Sequence, residues 1–219
     1  MEINSTRIDT GGKIMKIITI SREFGSGGRE LGKRLADALG VPCYDREIIK
    51  LIAEQNGFDE AYVSHLSEKV IQVSYPMTIG RRFVTTNPVL EQQIKIISSQ
   101  REILRQFAQK GDCVIVGRCA DIILRDMKPM NIFVYAEQQA KIDRCIANGR
   151  EGENLDPKVL LKKIKQIDKE RAAYRELFTD TEWGDMRSYH LCVNTTGKEV
   201  KSLVPGLVNY VNGWFEANK

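Results

Sequence analysis

Short, wholly apolar runs alternate along this chain with longer amphipathic segments. Ile17–Ile20 is the first such run, short enough for a buried strand. Three glycines follow, Gly25, Gly27 and Gly28, and then Leu31, Leu35, Ala38 and Leu39 form a stripe that predicts a helix ending near Gly40. Val41–Tyr44 reads as a second short strand closed by Asp45. Ile48, Ile49, Ile52 and Ala53 mark another helix, closed near Asn56 and Gly57. From residue 58 to 88 the periodicity fades, which suggests a mobile, partly helical insert. Val89–Lys110 restores a long helix with Leu90, Ile94, Ile97, Ile103, Leu104 and Phe107 as its expected apolar side.

Cys113–Val116 and Ile132–Tyr135 are continuously apolar, as parallel strands buried on both faces are. A helix is expected from Ala136 to about Asn148, and residues 149–157 form a polar, glycine-bearing candidate lid loop. Pro157 suits the first turn of a helix reaching Phe178, with Leu160, Ile164 and Ile167 toward the core. Leu191–Val193 makes a last strand. Thr196-Gly197-Lys198-Glu199 has the form of a capping box opening a terminal helix. Val200, Leu203, Val204, Leu207, Val208 and Val211 make its apolar face, and Pro205 is expected to kink it or move its start. The alternation predicts an α/β fold, a parallel sheet of about five strands flanked by helices in three layers. Residues 15–219 read as one domain, and residues 1–14, polar and ahead of the alternative start Met15, as a disordered extension.

Ligands of such sheets bind beyond the carboxyl ends of the strands. That rule selects Ser21 to Arg29, Asp45, Arg46, Gly117 to Asp121, and Asn194, residues far apart in sequence that share one sheet edge. Strand, glycine turn, helix also aims backbone N–H groups and a positive helix end at an anion. Arg22, Gly25, Ser26, Gly27, Gly28, Arg29 and Glu30 are therefore the expected phosphate-binding segment. The usual G-x-x-x-x-G-K-[ST] is absent: Gly28 stands at the lysine position, Arg29 at the Ser/Thr position and Arg22 at the leading glycine. A dinucleotide-binding G-x-G-x-x-G fails at Glu30, although Asp45 lies where a ribose-binding acid would be. A tight turn with no ligand is the plainer alternative.

Composition narrows the choices. The 219 residues carry a net charge of +4, which suits anionic small molecules and supplies no basic stripe interleaved with aromatics for nucleic acid. No apolar run approaches the length of a membrane span. Five scattered cysteines, none in C-x-x-C spacing, read as reduced thiols of a cytoplasmic protein. His65 and His190 are isolated from other catalytic residue types, and no metal-ligand cluster is expected. On the helix after Pro157, Asp168, Arg171 and Arg175 share one face at i, i+3 and i+7. A solvated ion-pair face is one reading. With Arg144 and Arg150 of the lid region, an arginine clamp over phosphates is the other, since the guanidinium fork binds phosphate oxygens bidentately.

From Met15 onward the chain resembles the cytidylate-kinase-like family, a branch of the P-loop nucleoside monophosphate kinases. The resemblance is carried by Ile18-Thr19-Ile20-Ser21-Arg22-Glu23-Phe24-Gly25-Ser26-Gly27-Gly28-Arg29-Glu30, by Tyr44-Asp45-Arg46-Glu47-Ile48-Ile49, and by Val114-Ile115-Val116-Gly117-Arg118-Cys119-Ala120-Asp121. Asp168-x-x-Arg171-x-x-Tyr174 and Trp183-Gly184-Asp185 extend it. It implies a P-loop NTPase fold with a monophosphate-binding insert and an arginine-bearing lid, ATP with Mg²⁺ as donor, and a pyrimidine monophosphate such as CMP as acceptor. By position, Ser26 to Arg29 would hold donor phosphates. Arg118 and Asp121 would grip the acceptor, and Asp168 and Arg171 would be the lid pair near the transferred group. Apart from the resemblance, the sheet-edge and charge arguments add Asp45 and Arg46 at the acceptor and Arg29 and Arg175 around the transferred group. Authentic cytidylate kinases keep the lysine and Ser/Thr that this chain lacks. Two functions therefore compete: an ATP-dependent kinase of a nucleoside monophosphate, and a nucleotide-binding sensor or partner protein that has lost turnover. An NAD-dependent dehydrogenase is disfavoured by Glu30.

Overall fold

The computed structural model describes residues 15–66, 88–149 and 156–217. Its elements are β1 (Ile17–Arg22), α1 (Gly28–Leu39), β2 (Cys43–Tyr44), α2 (Arg46–Asn56), α3 (Glu60–Leu66), α4 (Pro88–Gln109) and β3 (Cys113–Val116). There follow α5 (Ala120–Ile123), β4 (Met130–Tyr135), α6 (Gln138–Ala147), α7 (Pro157–Glu176), β5 (Leu191–Asn194) and α8 (Val200–Ala217). The five strands form one sheet in the order β2-β3-β1-β4-β5, every neighbouring pair parallel. The predicted three-layer α/β architecture is present.

Alternation along the strands builds the layers. Ile18 and Ile20 of β1 turn to α1 and α8, meeting Leu31, Leu35, Val204, Leu207 and Val211. Ile17 and Ile115 turn the other way, to Ile48 and Ile52 of α2 and Ile96, Ile103 and Leu104 of α4. Because β1 is central and covered on both faces, its loop leaves the middle of the sheet edge with neighbours on every side. Even its polar Thr19 is buried, donating to Asn131 Oδ1 at 2.8 Å across to β4.

Three local expectations change. The buried side of α4 is Gln93, Ile96, Gln100, Ile103, Leu104, Phe107 and Ala108, whereas Ile94 is 55% exposed and Leu90 and Ile97 are half-buried. The helix is rotated because Gln100 has a buried partner to serve, described below. No capping box forms at α8, since Thr196 Oγ1 accepts from the Glu137 amide at 2.8 Å. The helix starts at Val200 and runs through Pro205. Losing one helical hydrogen bond to proline costs about 3 kcal/mol. Burying Val200, Val204, Leu207, Val211 and Phe215 outweighs that at about 1.5–3 kcal/mol per side chain. Of the expected insert, residues 58–66 contain α3, while 67–87 lie outside the described residues, as do the extension 1–14 and lid residues 150–155, Arg150 among them.

Candidate phosphate-binding cleft

The loop after β1 is fixed from outside. Glu23 N donates to Val134 O at 3.0 Å, and Phe24 N donates to Asp168 Oδ1 on α7 at 2.6 Å. Gly25 and Gly27 take φ of 75° and 79°, the left-handed region that glycine enters without penalty. They are needed for packing as well. A Cβ on Gly27 would lie 2.8 Å from Val200 Cγ2 of α8, and one on Gly25 would lie 3.0 Å from Lys141 O of α6.

Arg22 explains the other glycine. A Cβ on Gly28 would sit 2.5 Å from Arg22 Cβ, and a Cβ on Gly117 would sit 1.8 Å from Arg22 Nη1. The Arg22 side chain therefore crosses the sheet edge between two residues that have no side chains. Gly117, at the end of β3, is among the residues the sheet-edge rule selects, but its role in making room for Arg22 was not foreseen. Its place directly after a buried strand was the available signal.

Arg22, Gly25, Gly27, Gly28, Arg29, Glu30, Asp45, Arg46, Arg118, Arg144 and Arg171 all line one cleft of about 550 Å³. That volume is ordinary for a small-molecule site. The positive end of α1 opens into it, because Gly27 to Glu30 belong to its wall. Ser26 does not line it. This residue is fully buried, its hydroxyl donating to Glu23 O at 2.9 Å and accepting from Gly28 N at 3.3 Å. Arg29 is bonded to Asp45 at the exposed rim. Arg144, expected in the lid, belongs to α6 and braces the loop, donating to Gly25 O at 2.7 Å and Thr195 O at 3.2 Å.

Beneath the loop lies a charged group that sequence reasoning missed. Lys141 Nζ, on α6, is 3.1 Å from both Glu23 Oε2 and Asp168 Oδ2. Asp168 is expected to be catalytic, yet its carboxylate already receives Lys141 and the Phe24 amide, with Arg171 Nη1 at 3.7 Å. Burial pushes its pKa up from the ordinary carboxylate value, against the lowering effect of the Phe24 amide, Lys141 and Arg171. Arg171 in turn donates to Arg22 O at 3.1 Å, so α7 is tied to the loop at two points.

After β3, Arg118 and Cys119 hold left-handed φ of 59° and 50°. Such backbone costs on the order of 1–3 kcal/mol per non-glycine residue and marks functional sites. It is held by Gln100, whose amide donates to Arg118 O at 3.0 Å while Tyr174 donates to Gln100 Oε1 at 3.4 Å. Cys119 is inert as a nucleophile, its thiol pushed up to about 12 by burial and then by Asp121. Asp121 and Arg175, expected at the acceptor and the transferred group, do not line the large cleft. They pair with each other, Arg175 Nη1 to Asp121 Oδ2 at 2.5 Å, at 2% and 1% side-chain exposure. Thr181 completes the hold by accepting from Arg175 through its carbonyl and hydroxyl. His190 lies beside β5, its Nδ1 accepting from Asn131 N at 2.8 Å.

Among the described residues no three His, Cys, Asp or Glu side chains gather as metal ligands, and no helix is long and apolar enough to cross a membrane. A model of the cytidylate kinase-like family matches residues 17–197. Among solved structures, the chain is similar to an uncharacterized protein from Eubacterium ventriosum, 28% identical with a TM-score of 0.63, covering 90% of this chain and 98% of that one. It is also similar in fold to shikimate kinase from Bacteroides thetaiotaomicron, 16% identical with a TM-score of 0.56, covering 90% of this chain and 99% of that one. No curated protein matches the sequence at a significant level.

Proposed function

Because the chain belongs to the cytidylate kinase-like family and has the α/β fold of P-loop kinases, we propose that it catalyses ATP-dependent phosphoryl transfer to a nucleoside monophosphate such as CMP. The scaffold is that of a nucleotide-binding phosphotransferase. The observation that carries the finer reading is the 550 Å³ cleft in which the glycine loop meets Arg22, Arg29, Arg46, Arg118 and Arg171. Transfer of a phosphoryl group asks little covalent help from protein; it asks for alignment and for positive charge around the moving group.

In this reading the first turn of α1 and the Gly25–Gly28 loop hold the donor phosphates. Arg29 exchanges its Asp45 partner for a phosphate oxygen. Arg118, fixed by its strained backbone, and Arg171, fixed on α7, cover the transferred group. An oxygen of the acceptor phosphate attacks the terminal phosphorus, the bond from that phosphorus to the bridging oxygen breaks, and ADP carries away the electron pair. Asp168 acts through position, holding Phe24 and Lys141.

A chain-bound Mg²⁺ does not fit these residues. Arg29 engages Asp45, Lys141 engages both Glu23 and Asp168, and the Ser26 hydroxyl is turned inward. The charge around the transferred group is therefore assigned to the arginines. A cytoplasmic setting agrees with five free cysteines.

Nucleotide binding without turnover is the second reading, favoured by Gly28 at the lysine position. A coupled assay of ADP release, run with ATP against the common nucleoside monophosphates, separates the two. Turnover on CMP or a related monophosphate supports the kinase. ATP binding without turnover on any acceptor moves the assignment to the sensor.

A further inference from the structure

The two sides of α7 are built for different surroundings. Leu160 and Ile164 are buried with Ile142 of α6, and Arg171 reaches the glycine loop. On the opposite side Lys158, Lys162, Lys165 and Lys169 are all exposed. With about 3.6 residues per turn, their spacing puts all four within about 60° of arc, in one line about 16 Å long. Of the lysines on this helix only Lys163 lines the cleft, so the line lies outside it.

Nothing within the fold stabilises this row of charge. None of the four ammoniums has an ion pair among the described residues. Exposed cations on other helices do: Arg34 with Glu30 on α1, Lys50 with Glu54 on α2, and Lys201 with Glu199 on α8. Lys158 with Lys162, and Lys165 with Lys169, are like-charged i, i+4 pairs, which oppose the helix. Lys158 also stands in the first turn, at the positive end of the helix dipole. An anionic surface laid along the row reverses both effects.

We propose that this ridge of α7 rests on an anionic lipid surface, with the plane of headgroups lying along Lys158, Lys162, Lys165 and Lys169. A straight row on a convex helix suits a plane, which touches all four at once. A helix seated in a duplex groove must meet two phosphate strands, one on each flank, and a single row meets only one. Single strands are gripped by stacking on aromatics, and the one aromatic of α7, Tyr174, is buried. Lysine suits headgroups that exchange freely, because its ammonium is a point charge without a fixed fork. No helix among the described residues is long and apolar enough to span, and the apolar side of α7 faces the protein. The contact is therefore peripheral and electrostatic. Each lysine near such a surface contributes about fivefold in partitioning, so the contact is reversible and sensitive to salt. The inference goes beyond the kinase reading and does not depend on it.

The test is sedimentation of the full-length protein with vesicles of phosphatidylcholine, alone and with about 30% phosphatidylserine, at about 50 and about 300 mM salt. Binding is expected only to the anionic vesicles, falling at least about tenfold at the higher salt. Lys162→Gln with Lys165→Gln should lower partitioning about 25-fold. That pair should leave the melting temperature no lower, because both side chains are exposed among like charges. Lys95→Gln with Lys201→Gln removes the same charge from α4 and α8 and should leave partitioning within about twofold. No preference for anionic vesicles would overturn the proposal. An equal loss in the two double variants would do so too, since it assigns the attraction to net charge alone. A nucleic-acid duplex or polyglutamate that displaces the protein from vesicles at matched anion concentration would also overturn it, giving the ridge to nucleic acid or to an acidic protein. Vesicle binding and ADP release are read separately, so either reading can fail while the other stands.

Discussion

Lys141 holds two carboxylates from different elements with one ammonium, and replacing it by methionine isolates what that contact is worth. The side chains of Lys141, Glu23 and Asp168 are 10%, 25% and 15% exposed, so solvent replaces little of the lost interaction. Removing one member of a buried ion pair typically costs about 3–5 kcal/mol, because the partner stays buried and charged. With Glu23 a quarter exposed, about 3 kcal/mol is the reasonable figure. For a chain of this size that lowers the melting temperature by about 6–12 °C. The pH dependence carries the diagnostic sign. Burial already raises the pKa of Asp168 above its unfolded value, and Lys141 is among the groups that pull it back down. A carboxyl with a raised folded pKa destabilises the fold when ionised, and that penalty disappears as pH falls through the folded pKa toward the unfolded one. Lys141→Met widens this window upward, so its deficit should be largest at pH 8 and should shrink as the pH is lowered from there toward 5. The check is calorimetric melting of both proteins across that range, together with the triple variant Glu23→Gln, Lys141→Met, Asp168→Asn, which should recover most of the loss. A deficit independent of pH, or a triple variant no better than the single one, would refute the idea that Lys141 acts by neutralising these two acids.

Arg29→Ala should weaken ATP affinity about tenfold while leaving the melting temperature within about 2 °C, since Arg29 sits half-exposed at the rim; fluorescence titration with a labelled triphosphate measures it. Gly28→Ala places a methyl 2.5 Å from Arg22 Cβ, and should cost about 1–3 kcal/mol by overpacking and weaken triphosphate binding with it. Denaturant unfolding reads the first effect, and unchanged stability would mean that Arg22 lies elsewhere. Gln100→Leu removes the donor to Arg118 O and the acceptor of Tyr174. Its expected mark is a fall in kcat larger than its loss of stability explains, read by ADP release and thermal melting on the same preparation.

Strands and the helices that cover them were readable because burial on two faces leaves an unmistakable apolar run: Cys113–Val116 appears in the fold with the limits the sequence suggests. The sheet-edge rule likewise brought Arg22, Asp45, Arg46 and Arg118 to one cleft without any motif. What failed were positions whose role depends on a distant partner. Gln93 and Gln100 look like solvent-facing residues until Arg118 O is known to lie beside Gln100. Lys141 looks like one more helical lysine until Glu23 and Asp168 converge on it across separations of 118 and 27 residues. Thr196 fits a capping box, and only the approach of the start of α6 shows that its hydroxyl is taken. Asp121 is expected at the acceptor and Arg175 at the transferred group, but pairing with each other removes both from the large cleft. Periodicity reports which face is buried; it carries no record of which buried polar group satisfies which.

The missing lysine of the loop has a steric cause rather than being an isolated loss. Position 28 cannot hold a side chain on this backbone, because Arg22 Cβ already occupies the space a Cβ would need. Nor can position 117, where the Arg22 guanidinium lies. Arg22, Gly28 and Gly117 are thus one solution to placing a cation at the end of β1: the charge enters from the strand instead of from the first turn of α1, and both neighbours give up their side chains to let it pass. Restoring the common motif one residue at a time should therefore fail. Gly28→Lys alone sets a lysine against Arg22, while Gly28→Lys with Arg22→Gly removes the nearest obstruction and restores the leading glycine and the lysine of the usual motif, with Arg29 still at its Ser/Thr position. If the single variant folds and binds triphosphate as well as the double one, Arg22 does not hold the place that lysine would take.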